Sequence, residues 1–96
     1  MNSKESQAIL ARDMISMIRR YSDNADVLEY LDSFAFSLFS IHGDGVANWG
    51  NIASVCEQRY YSLQQGKPIP LNTRFLDECE KQIQPYLPKT SNNTRS

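Results

Sequence analysis

A chain of 96 residues is long enough for one packed domain, and its 41% hydrophobic and 10% aromatic content excludes disorder over most of the length. Ten Lys and Arg against eleven Asp and Glu leave a formal charge of -1. That balance does not suggest a nucleic-acid binder, and it argues against a pure DNA mimic, which should be strongly acidic.

Residues 3–22 read as a first helix, because Ala11, Met14, Ile15 and Ile18 recur at three and four residues, with Leu10, Met17 and Tyr21 widening the apolar face. Ser3 or Ser6 is its expected start, and Arg19 and Arg20 stand in the last turn, where cations favour the helix dipole. Ser22, Asp23 and Asn24 break the pattern. A second helix follows over residues 25–41, with Asp23 or Asn24 as N-cap and Asp26 and Glu29 near its start. Val27, Leu31, Phe34, Leu38 and Ile41 form its main stripe, while Leu28, Ala35, Phe36 and Phe39 carry apolar surface around much of the cylinder. Such a helix is central or part of an interface.

His42-Gly43-Asp44-Gly45 is a turn, since two glycines accept positive φ and an aspartate bonds to nearby backbone. A third helix over residues 47–65 places Trp49, Ile52, Ala53, Cys56, Tyr60 and Leu63 on one stripe. Gly66 stops it, and the prolines of Gly66-Lys67-Pro68-Ile69-Pro70 make an extended linker. Asn72 or Thr73 caps a fourth helix in which Leu76, Cys79 and Ile83 share a face, ending around Gln84 or Pro85. The expected fold class is all-α: a small bundle of about four helices with the proline-containing linker before the last, in a single domain over residues 1–88. Residues 89–96 form a polar tail expected to be disordered.

Catalytic and metal chemistry have little to build on. His42 is the single histidine and has no Cys partner at ligand spacing, and Cys56 and Cys79 fall on apolar faces as core thiols. The His42–Gly45 turn lacks the longer glycine pattern, the lysine and the preceding strand of a phosphate loop. The residues therefore predict no enzyme, no metal and no cofactor. Two cysteines are too few for a disulfide framework, no N-terminal stretch reads as a signal peptide, and the apolar run Phe34–Ile41 is far short of the roughly 20 residues of a membrane span. A cytoplasmic protein is expected.

No Lys or Arg lies between Arg20 and Arg59, while Asp23, Asp26, Glu29, Asp32, Asp44 and Glu57 do, so the middle of the chain is acidic. That surface is either a solvated face or a patch for a basic partner. The aromatic pair Tyr60 and Tyr61 beside the proline segment is the stretch most suited to a partner, with Lys67, Pro68 and Ile69 completing the predicted contact region. The same segment also reads as a rigid connector. Prolyl bonds there reach the cis form at a cost of only about 0.5 to 1 kcal/mol. An alternative reading is a small helical DNA-binding transcription regulator using the third helix, with Gln58, Gln64 and Gln65 as base readers and Arg59 as the helix's sole basic residue. A third is a homo-oligomer built on the second helix.

From Met1-Asn2-Ser3-Lys4-Glu5-Ser6 through Gly66-Lys67-Pro68-Ile69-Pro70, the chain resembles the small anti-RecBCD modulator proteins of lambdoid phages. The likeness lies in overall length and general sequence rather than in a short motif. It implies a protein that binds the host RecBCD helicase and nuclease through the RecC subunit and alters its processing of DNA ends in favour of phage recombination. It implies in addition a host prolyl isomerase as partner, with Pro68 the proline assigned to it, and the host cytoplasm as location. Direct nucleic-acid binding is not expected.

Overall fold

The computed structural model describes residues 2–67 and 69–88. Three of its four α-helices begin on an asparagine whose side-chain oxygen accepts from the amide three residues on: Asn2 from Glu5 at 2.7 Å, Asn24 from Val27 at 3.1 Å and Asn72 from Phe75 at 3.2 Å. These caps start α1 (Ser3–Arg20), α2 (Ala25–His42) and α4 (Thr73–Ile83). The remaining helix, α3 (Trp49–Gln64), starts after Asn48, which takes a left-handed φ of 59° and makes no side-chain cap. A single 3₁₀ turn, Gln84–Tyr86, follows α4. The described residues contain no strand, and the fold is a small all-α bundle.

Several boundaries move by a residue or two from those expected. The cap of α1 is Asn2 rather than Ser3 or Ser6, because Asn2 is extended while Ser3 is already helical. Tyr21, with φ of -110° and ψ of 29°, ends α1 before Ser22. The turn after α2 runs on to Asn48, so Ala47 is buried within it instead of opening α3. That turn packs on the start of α1: the Trp49 indole Nε1 donates to Gln7 Oε1 at 3.1 Å, and a Cβ on Gly45 would run into the same oxygen.

The core takes Ala8, Ala11, Met14, Ile15 and Ile18 from α1, Leu28, Leu31, Ala35 and Leu38 from α2, Trp49, Ile52, Val55 and Cys56 from α3, and Leu76, Cys79 and Ile83 from α4. Trp49 and Ile52 are fully buried, as core packing demands. Helix α2 corrects the expected stripe. Leu28, Leu31, Ala35 and Leu38 point inward, whereas Phe34 and Ile41 are exposed. Helices α2 and α3 pack along most of their length, with Gly50 and Ala53 of α3 facing Phe39 and Phe36 of α2.

The pair is antiparallel, with Phe39 beside Gly50 at one end and Glu29 beside Tyr60 at the other. The other helices are joined differently. Helix α1 meets α2, α3, α4 and the 3₁₀ turn over shorter stretches, and its last turn is fastened to α4 by Arg19, whose Nη2 donates to Asp77 Oδ1 and Glu80 Oε1, each at 2.7 Å.

Candidate functional site

The predicted contact region is organised by the end of α3. Gly66, at φ of +67°, lets its own amide donate to the Leu63 carbonyl and the Lys67 amide to the Ser62 carbonyl, both at 3.2 Å. This nested pair stops the helix, and only a residue tolerant of the left-handed region completes it without strain. The chain then doubles back against α3. Buried Ser62 donates from its hydroxyl to the Lys67 carbonyl at 2.8 Å and accepts from the Ile69 amide at 2.5 Å.

One turn earlier, Arg59 closes a three-way clamp. Its Nε donates to the Ser22 carbonyl at 2.7 Å, Nη1 to the Ile69 carbonyl at 2.6 Å and Nη2 to Asp23 Oδ1 at 2.5 Å. The linker is therefore latched to α3 and to the α1–α2 turn. A guanidinium suits this role because its fork of donors reaches several acceptors at once.

Between latch and helix lies a hollow of about 260 Å³, lined by Val55, Gln58, Arg59, Tyr61, Ser62, Gln65, Ile69, Pro70 and Asn72. Tyr61 is 55% exposed and Ile69 66% exposed, so two of the five predicted contact residues meet in it. Tyr60 plays a supporting part: it is half-buried against the core and meets the Tyr61 ring edge-on at 5.5 Å between centroids. Partial burial, then the neighbouring Glu29 carboxylate, hold the Tyr60 phenol above its ordinary range. Lys67 has an exposed side chain on a fixed backbone. Pro68, and the tail expected to be disordered over residues 89–96, lie outside the described residues.

The clamp removes the basic residue from the DNA-reading alternative. The Arg59 side chain is 11% exposed and fully engaged with protein acceptors, so α3 does not present it to a phosphate.

A second surface lies on α2, the helix whose apolar content marks it as central or part of an interface. Tyr30, Phe34 and Ile41 are exposed on one flank of α2, and Phe36, 60% exposed, stands with Phe39 on the other, their rings 6.2 Å apart. The signal was present in the sequence, since the run from Phe34 to Ile41 holds more large apolar side chains than one helix face can bury. Phe36 and Phe39 border a hollow of about 220 Å³ with Asp32, Gly50, Ala53, Ser54 and Glu57. Burial first, then the charges of Glu57 and Glu29, push the Asp32 carboxyl up to about 6.

The cysteines sit in the core. Burial, reinforced by the Asp32 charge, pushes Cys56 up to about 12, and burial with the charges of Glu78 and Glu80 pushes Cys79 up to about 11. Neither is a thiolate near neutral pH. His42 is exposed at the end of α2, and among the described residues no three His, Cys, Asp or Glu side chains gather as a metal-binding group. No helix of the described residues is long and apolar enough to cross a membrane. Comparison of the chain with protein-family models, with curated proteins and with solved structures gives no match.

Proposed function

We propose that this protein is a non-catalytic modulator that binds the host RecBCD helicase and nuclease through its RecC subunit and alters DNA-end processing in favour of phage recombination. The sequence resemblance supplies the partner. The observation that carries the binding mode is the latched linker: Arg59 and Ser62 hold Ile69 and Pro70 beside Tyr61, so an apolar and aromatic patch is pre-ordered before any partner arrives. Pre-ordering lowers the entropic cost of association, and an exposed aromatic at the centre of a patch is the residue type most often found to dominate an interface.

A host prolyl isomerase is the second partner in this reading, with Pro68 as its target. Lys67 and Ile69, on either side of that proline, are both exposed.

The test is a titration of labelled protein with purified RecBCD and with RecC alone, repeated with the paired variant Tyr61→Ser and Ile69→Ser. The expected result is saturable binding to both targets, weakened about thirtyfold by the paired change while the helical circular dichroism is retained. Absence of association with RecBCD at micromolar concentration rejects the reading. A pull-down from host lysate with Pro68→Ala as bait tests the second partner: an isomerase should be recovered with the wild type and lost with the variant.

A further inference from the structure

The hollow between α2 and α3 joins two properties that the latched linker lacks. Its lining includes the rings of Phe36 and Phe39 together with Gly50 and Ala53, which carry no side chain beyond a methyl group. Its rim is acidic: Asp32 from α2 and Glu57 from α3 line it, with Glu29 one turn before Asp32. Asp44, from the turn between the helices, lies so close that its Oδ1 would sit 2.8 Å from a Cβ placed on Gly50.

Among the described residues no Lys or Arg pairs with Glu29, Asp32 or Glu57. The nearest arginine along α3, Arg59, is turned to Ser22, Asp23 and Ile69. Burial raises the titration range of Asp32 most, and the neighbouring charges of Glu57 and Glu29, with no cation paired to them, raise it further. An apolar slot about 220 Å³ in volume, with a negative rim, complements a long side chain that has an aliphatic stem and a cationic head.

We propose that the slot bounded by Asp32, Phe36, Phe39 and Glu57 receives an arginine side chain projecting from an apolar segment of a partner protein. The stem lies against Phe36, Phe39 and Ala53, and the guanidinium bridges Asp32 and Glu57. The inference rests on the reading that this chain works by binding another protein, and it gives that protein a recognisable chemistry at a surface separate from the linker hollow.

The test uses the full chain, labelled with ¹⁵N, and a blocked Leu-Ala-Arg-Leu tetrapeptide. A twin carries citrulline, which has the same shape but a neutral head. The arginine peptide should shift the amides of Phe36, Gly50, Ala53 and Ser54 and bind about tenfold more tightly than its citrulline twin, and the pair Asp32→Asn with Glu57→Gln should abolish that preference. Equal shifts from both peptides, shifts confined to other residues, or no binding at millimolar peptide would overturn the proposal. So would intermolecular cross-peaks showing that a second copy of the chain fills the slot.

The same paired variant separates this inference from the proposed function. RecBCD bound by the wild type and equally well by Asp32→Asn with Glu57→Gln overturns the slot as part of that interface and leaves the modulator reading standing. RecBCD bound by neither rejects the modulator reading, and the peptide comparison still decides the slot.

Discussion

Replacing Arg59 with alanine removes the donor that joins α3 to the α1–α2 turn and to the linker. Three hydrogen bonds are lost, to Ser22, Ile69 and Asp23. Hydrogen bonds from a charged donor contribute up to about 1.5 to 3 kcal/mol each, but not all of that is at stake here. Asp23 is 86% exposed, so its share is at most about 1 kcal/mol. The Ile69 carbonyl belongs to an exposed residue and can take water in exchange, which leaves the half-buried Ser22 carbonyl and the packing of the arginine stem as the larger losses.

The sum is about 2 to 3 kcal/mol, equivalent to a fall of roughly 10 to 20 °C in Tm for a domain of this size. Urea unfolding followed by circular dichroism measures it, with the slope unchanged if the transition stays two-state. Because Arg59 and Ser62 secure the same segment, a cycle with Ser62→Ala should show coupling of about 0.5 to 1.5 kcal/mol. Hydrogen exchange at the Ile69 amide should accelerate in both single variants. An unchanged urea midpoint for Arg59→Ala, or an Ile69 amide as protected as in the wild type, would refute the clamp.

Asp32 makes stability depend on pH with a definite sign. Its folded-state value, raised to about 6 from 3.8, means that the folded protein holds this proton more tightly than the unfolded chain. The stabilisation is fully present below pH 4 and is lost as pH rises through 6. After allowance for partial exposure, Asp32→Asn should raise stability at pH 7.5 by about 1 to 2 kcal/mol and flatten the decline between pH 4 and 7, as read from urea midpoints across that range.

Gly66→Ala, which forces a Cβ into a φ of +67°, should cost about 1 to 2 kcal/mol in the same assay, with Gln65→Ala as a near-neutral control. Cys56 and Cys79 should react with a disulfide reagent at pH 8 about a hundredfold more slowly in native protein than in urea; rapid native labelling would contradict their burial.

The four helices and most of their ends are legible in the sequence, because the signals are local. Asn24 and Asn72 act within three residues as caps, Gly43 and Gly66 supply the positive φ that ends α2 and α3, and the apolar periodicity of α1 and α4 selects one face in each. The region around Tyr61 and Ile69 was legible for the same reason, since an aromatic beside a helix stop and prolines is a short-range pattern.

Features that depend on a partner far along the chain are not legible in this way. Helix α2 has apolar residues around so much of its circumference that several rotations satisfy its periodicity equally. The close approach of α3 selected Leu28 and Ala35 for the core and left Phe34 and Ile41 outside. Arg59 is the sole basic residue of α3, and its role as a clamp exists only because folding brings Ser22, Asp23 and Ile69 around it. Asp32 and Glu57 lie on different helices, and only the antiparallel pairing of α2 with α3 sets their carboxylates on one rim. Caps and stops act through bonds that reach a few residues, whereas burial and charge juxtaposition are set by which helix faces which.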